Sequence, residues 1–179
     1  MRPVRFALAG VLAFACTFAC DGSQAFAAGE MAFAAIKLSN GADAGVVTLT
    51  EATAGVLLRF ELKGLPPGVH SFKVHEAGAC DGDFKSSGAI YNPLGAKHGF
   101  LNDEGPMAGD LPNLYVSADG TANGEVLSPF LTLSKEAEET LFDADGSALV
   151  IYEKADDYQT DPEGDAGSRI ACGKIVGKK

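Results

Sequence analysis

Tryptophan is missing from this chain of 179 residues, and histidine occurs only three times. Lysine and arginine number 14 against 24 aspartates and glutamates, for a formal net charge of −10. That balance excludes a basic surface, and with it nucleic acid or an anionic lipid face as a partner, since both are polyanions. Three histidines leave little material for an imidazole-rich metal centre. Long apolar runs are absent as well. The longest, FALAGVLAFACTFAC at 6–20, spans 15 residues, short of the roughly 20 that cross a bilayer.

That run has a different explanation. MRPVR is a basic n-region, the apolar run follows, and DGSQAFA ends in Ala25-Phe26-Ala27. The order predicts a secretory signal peptide, 1–27, cut after Ala27, with a domain at 28–179 and a periplasmic or secreted product. A lipoprotein signal ending at Cys20 is the alternative, which Thr17-Phe18-Ala19 matches poorly. Two arginines and one aspartate leave with the segment, so −10 becomes −11 in the mature domain.

Cysteine becomes scarcer still. Cys16 and Cys20 leave with the signal, and Cys80 and Cys172 remain in an oxidising compartment. There a lone pair predicts a disulfide. A thiolate metal site would need ligands close to each cysteine, and neither has a CxxC or a neighbouring histidine.

What is present is β patterning. The runs 31–39, 45–53, 55–64 and 69–76, then NLYVSADG, TANGEVLS, SALVIYEK and RIACGKIVG, are short, apolar or alternating, and separated by turn signals. Asn40-Gly41, Asp119-Gly120 and Asp145-Gly146 are strong turn formers because they tolerate positive φ. About eight such strands predict an all-β antiparallel barrel or sandwich. Only 134–142, SKEAEETLF, reads as a helix, with Ser134 as its cap and Glu136 and Glu138 in its first turns. Two long segments, 77–112 and 154–168, are too rich in glycine and proline for hairpin turns, and loops on a rigid scaffold are where function concentrates.

The stretch VHSFKVHEAGAC (69–80) poses the chemical question. Alternation puts His70, Phe72 and Val74 on one face and Ser71, Lys73 and His75 on the other. Lys73 and His75 share a face two residues apart, a spacing that suits two ligands on one ion. An ammonium, however, has three donors and no lone pair.

The residues at this point resemble a known family, the copper/zinc superoxide dismutases. GVHSFKVHEAGAC is similar to the family's G-x-H-G-F-H-V-H-E strand and first disulfide cysteine, and SGAIYNPLGAKHGF to its A-G-x-H-x-N-P-x-x-x-K-H-G segment. PMAGDLPNL resembles G-H-x-G-D-L-P-N-L, IYEKADD resembles I-H-E-K-A-D-D, and GDAGSRIACG resembles G-N-A-G-S-R-x-A-C-G. The resemblance implies an eight-stranded antiparallel Greek-key barrel with two long loops, copper and zinc as cofactors, and superoxide as substrate.

Carried over one position at a time, the resemblance also implies a depleted site. Of the four copper histidines only His75 matches, and the others fall on Lys73, Ile90 and Tyr152. The zinc positions hold Ile90, His98, Met107 and Asp110, of which His98 and Asp110 match. The framework residues His70, Asn92, Pro93, Gly109, Asp156 and Arg169 and both cysteines are retained. One imidazole, an ammonium, a phenol and a hydrocarbon do not hold copper through its redox cycle, and zinc wants three or four ligands where two remain. Arg169 matches the family's superoxide-guiding arginine, but EKADDYQTDPEGD sets six carboxylates against one lysine, a field that slows an anion.

The sequence therefore predicts an exported dismutase-like barrel without dismutase activity and without a cofactor. It would act as a binding or structural module for a protein or small-molecule partner, with a homodimer as one assembly. The alternative is a Cu/Zn-type superoxide dismutase yielding oxygen and hydrogen peroxide. A copper carrier using His75, Met107 and Tyr152 is a third class. Each polar residue also has a plain structural reading. His70 is a hydrogen-bonded core histidine, His75 a solvated strand residue or a weak ligand, and His98 an ion-pair partner of Asp110 or Asp156. Arg169 ties down a loop or guides an anion. Lys73 points to solvent, or bridges to Asp156 and stands in for a cation.

Overall fold

The computed structural model describes residues 29–178. The expected signal peptide, 1–27, and Cys16 and Cys20 within it lie outside the described residues. Nine strands follow one another: β1 (Met31–Leu38), β2 (Asp43–Ala52), β3 (Gly55–Leu62), β4 (Gly68–His70), β5 (Phe72–His75), β6 (Leu114–Val116), β7 (Ala122–Ser128), β8 (Ala148–Tyr152) and β9 (Arg169–Gly177). Seven form one antiparallel sheet in the order β5-β8-β9-β1-β2-β3-β7, and β4 pairs with β6. Among the described residues the only helical element is one 3₁₀ turn, Lys85–Ser87. No helix there is long and apolar enough to cross a membrane.

Period-two patterning drives this sheet. In β1, Ala32, Ala34 and Ile36 are buried while Phe33 between them stays exposed. Facing residues of β2 and β3, Val47, Leu49, Leu58 and Leu62, complete the interior with Phe72, Val74, Leu149, Ile151 and Ile175. Each fully buried Leu, Ile or Phe contributes about 1.5–3 kcal/mol relative to exposure.

The expected strand 69–76 is bent into two at Ser71. Val69 pairs with Tyr115 on one side of the bend, and Phe72 pairs with Ile151 on the other. Ser71 stays tied through its amide to Lys154 O and through its carbonyl to the Tyr152 amide, at 2.7 and 2.9 Å. Counting β4 and β5 as one bent strand restores the expected eight, and the antiparallel all-β fold is as the sequence predicts.

A helix over 134–142 does not form. Leu141 instead sends its amide to Thr132 O at 3.1 Å, and Leu131, Leu133 and Leu141 are buried in the core. The segment has no i, i+3, i+4 apolar stripe, and nine residues cannot recover the cost of helix nucleation without one. Glu51 fixes its start: its carboxylate accepts the Leu133 amide at 2.6 Å and the Thr132 hydroxyl at 3.2 Å. Glu51→Ala leaves that half-buried amide unpaired, and a loss of about 1–2 kcal/mol is expected. Urea unfolding checks it; a loss below a few tenths would show that water replaces the carboxylate freely.

A second layer positions the site. The outer face of β5-β8-β9 is not solvated, because the two long loops cover it. A separate apolar cluster lies beneath them, made of Phe84, Ala148, Val150, Tyr152, Ala166 and Cys172. Cys80 and Cys172 form a disulfide, Cα atoms 5.8 Å apart, that pins the first loop to β9.

Candidate functional site

Lys73 and His75 do project together from β5, as the alternation requires. Both are fully buried, because the loops lie over them. His75 as a solvated strand residue is therefore corrected.

Lys73 Nζ donates to Asp156 Oδ2, and the exposures of the two side chains are 0% and 1%. Asp156 Oδ1 accepts from His98 Nε2 at 2.9 Å and from the Tyr158 amide at 2.7 Å. The other ring nitrogen of His98, Nδ1, donates to Asp110 Oδ1 at 2.7 Å. Asp110 Oδ2 accepts the amides of Gly99 and Met107, at 2.9 and 3.0 Å. Carboxylates can only accept, so both His98 nitrogens carry protons. Burial alone would push this imidazole down, but the hydrogen bonds to Asp110 and Asp156 outweigh it and lift it to about 9. Burial likewise acts to raise Asp156, and the bonds from His98 and Lys73 hold it below the usual carboxylate range.

A second chain of contacts runs through His75. Its Nδ1 donates to Gly88 O at 3.0 Å, which leaves Nε2 as acceptor for the Tyr152 hydroxyl at 2.9 Å. Burial, helped by the nearby Arg169 charge, lowers His75 to about 4, so it stays neutral. Burial keeps the Tyr152 phenol well above its usual range. The hydroxyl also lies 3.1 Å from Glu163 Oε1, which in turn pairs with Arg169 at 3.0 Å. Arg169 further donates to Phe84 O and Ser87 Oγ, both at 3.0 Å. It joins β9 to both loops.

His70 is 3% exposed, its ring nitrogens 2.8 Å from the carbonyl oxygens of Tyr152 and Pro66. Ile90 and Met107 are buried side chains lining a cleft of about 300 Å³ with Glu76, Asn92 and Glu163. Arg169, Tyr152, Lys85 and Glu163 line a larger one of about 880 Å³.

Sequence reasoning missed three participants. Glu163 was counted only as one acidic residue among six, although it accepts from Arg169 and lies against the Tyr152 hydroxyl. Asn113 clamps Asp156 from both sides, its Oδ1 taking the Asp156 amide and its Nδ2 reaching the Asp156 carbonyl, at 2.8 and 2.9 Å. Gly164, at φ 69°, closes over the His98–Asp156 bond. Only the retained N-L after D-L-P pointed to Asn113, and nothing local marked the other two.

Known proteins match this architecture. A family model described as copper/zinc superoxide dismutase (SODC) matches residues 43–175. The chain belongs to the copper/zinc superoxide dismutase family. It is 48% identical over 147 residues to a Cu-Zn superoxide dismutase of Caulobacter vibrioides, covering 80% of this chain and 84% of the relative. To a Cu-Zn superoxide dismutase of Aquifex aeolicus it is 45% identical over 155 residues, covering 86% and 91%. Among solved structures, a double mutant of a SOD-like protein from Bacillus subtilis, with histidines in place of a tyrosine and a proline, superposes with TM-score 0.78. The two share 39% identity, over 81% of this chain and 97% of that one.

These relatives correct three expectations. A module without dismutase activity, a chain that is not an enzyme and a protein needing no cofactor are overturned by relatives at 45–48% identity that are named Cu-Zn superoxide dismutases. The reading held as the alternative is the one they favour, with copper and zinc as the implied ions. The error lay in letting the donor set alone decide the activity.

The donor set nonetheless does not fit either ion in the family manner. At the positions the resemblance assigns to copper, Lys73 is committed to Asp156, Ile90 offers hydrocarbon, and Tyr152 is held protonated, which leaves His75. At those assigned to zinc, His98 and Asp110 offer two donors where the ion takes three or four, and Ile90 and Met107 occupy the rest.

Proposed function

We propose that the chain is an exported member of the family that acts on superoxide, disproportionating it to oxygen and hydrogen peroxide. The observation that carries this reading is the identity of 45–48% with Cu-Zn superoxide dismutases, over 80–86% of the chain. In those relatives' names copper and zinc are the cofactors, and copper would supply the electron exchange. Because the donors of this chain do not fit the ions, its own residues are assigned only what their geometry supports. Arg169 and Lys85 place positive charge on the wall of the larger cleft, where an anion would arrive. Tyr152 lines the same cleft and donates a hydrogen bond to His75. Glu163 partly cancels the charge of Arg169, to which it is bonded, and Asp83 and Glu153 line the same cleft. Export is supported by the signal-like 1–27 segment and by the Cys80–Cys172 disulfide, which persists in an oxidising periplasm or outside the cell.

The test is superoxide consumption by the purified mature protein, with copper and zinc content measured on the same sample. Consumption above the spontaneous rate is expected in protein supplied with both ions. Protein supplied with both ions that leaves the spontaneous rate unchanged overturns the reading. A second expectation concerns salt. With a mature charge of −11, repulsion should hold the anion off, so raising ionic strength from about 0.01 to 0.15 M should speed the reaction by about twofold or more, as the Debye length falls. A rate that falls with salt would mean that Arg169 and Lys85 dominate the approach.

A further inference from the structure

We propose that Lys73 is a built-in cation that neutralises Asp156 from within the chain, so that both long loops hold their places whether or not a metal is bound. Four groups lie in a row, Asp110, His98, Asp156 and Lys73, each hydrogen-bonded to the next and each side chain at most 1% exposed.

Each carboxylate oxygen has its donor. Asp110 takes His98 on one oxygen and the Gly99 and Met107 amides on the other. Asp156 takes His98 and the Tyr158 amide on one and Lys73 on the other. A buried carboxylate without such partners is costly, and here none is left without them. The row also connects the structure mechanically. Lys73 stands on β5, pairing with Val150 of β8 and bridging to Asp110. Asp110 and His98 belong to the first loop and Asp156 to the second, so one string of bonds fastens both loops to the sheet.

The disagreement with the family's ions supplies the second line of argument. The position that resemblance assigns to a copper histidine carries a lysine whose stem ends on Asp156. Ile90 and Tyr152, both buried around His75, are side chains that need no ion. This inference stands apart from the dismutase reading, since it concerns what holds the loops.

The experiment is thermal unfolding of the mature, disulfide-intact protein after exhaustive chelation and after supply of zinc and copper. Amide hydrogen exchange at Gly99, Met107 and Tyr158 is followed alongside. The chelated protein is expected to melt within about 2 °C of the metal-supplied one and to keep those amides slow. Lys73→Met should lower the chelated protein's midpoint by about 10 °C, the size expected when one partner of a buried pair is removed. Asp156→Asn added to Lys73→Met should recover part of that loss, because the uncompensated charge is gone. Chelation that drops the wild-type midpoint by about 10 °C overturns the inference, as does a Lys73→Met protein that melts with wild type. Strictly additive losses in the double variant would show that Lys73 acts by packing and would overturn it too. Should Lys73→Met not fold, the chelation comparison and the three amides decide the matter in the wild-type chain.

Discussion

Gly164→Ala is expected to lower the free energy of unfolding by about 3–5 kcal/mol, the cost of separating a buried charged pair. Gly164 sits at φ 69°, where a side chain is strained, and a Cβ there would collide with Asp156 Oδ1 and lie 2.8 Å from His98 Nε2. The loop cannot step aside cheaply. Its amide donates to Thr160 O at 2.6 Å and its carbonyl receives the Asp157 amide at 3.1 Å. Gly167, three residues on and at φ 78°, provides the control. A Cβ there would meet Glu153 Oε2 at 3.2 Å, the end of an exposed side chain, so Gly167→Ala should cost only the backbone strain, about 1 kcal/mol. Urea unfolding of both variants decides it. Equal losses would mean that the His98–Asp156 contact yields without penalty.

That contrast shows where the sequence was readable. Alternation fixes which strand residues share a face, so Ala32, Ala34 and Ile36, or Phe72 and Val74, could be assigned to the interior before any coordinates. Alternation cannot say whether the opposite face meets water. Lys73 and His75 are fully buried because two loops fold over β5-β8-β9, and the packing of a loop rich in glycine and proline follows from long-range contacts that no local period encodes. Gly164 shows the same limit. Its turn is legible in Pro-Glu-Gly-Asp, but its contact with Asp156 is not.

Motif matching carried further than periodicity in one direction and misled in the other. It placed His98, Asp110 and Asp156 in one neighbourhood, and His98 is found within hydrogen-bond reach of both aspartates. It also encouraged the step from absent ligands to absent activity, which relatives at 45–48% identity do not support. A donor inventory states which atoms can hold an ion. It does not state what chemistry a lineage performs, because function is a property of the whole site and its supply of cofactors.

Replacing Cys80 and Cys172 with serine is expected to cost about 3–5 kcal/mol. The bond closes a loop of 92 residues in sequence, and in the chain-entropy account a loop of that order is worth about 4–5 kcal/mol, since an uncrosslinked unfolded chain has far more conformations to lose. The native state loses an anchor too. Cys172 is buried among Phe84, Val150 and Tyr152, and the bond holds the first loop where Arg169 can reach Phe84 O and Ser87 Oγ. Those contacts steady the 3₁₀ turn Lys85–Ser87 and, next to it, Gly88, whose carbonyl fixes the His75 ring. The serine variant should therefore show faster amide exchange at 85–88 than at β2 or β3, which pair with each other and lie two and three strands from β9. Denaturant unfolding under oxidising conditions gives the energy, and exchange gives the location. A loss below about 1 kcal/mol, or two free thiols in the folded wild-type protein, would mean that the loop is held by the Arg169 and Asp156 contacts alone.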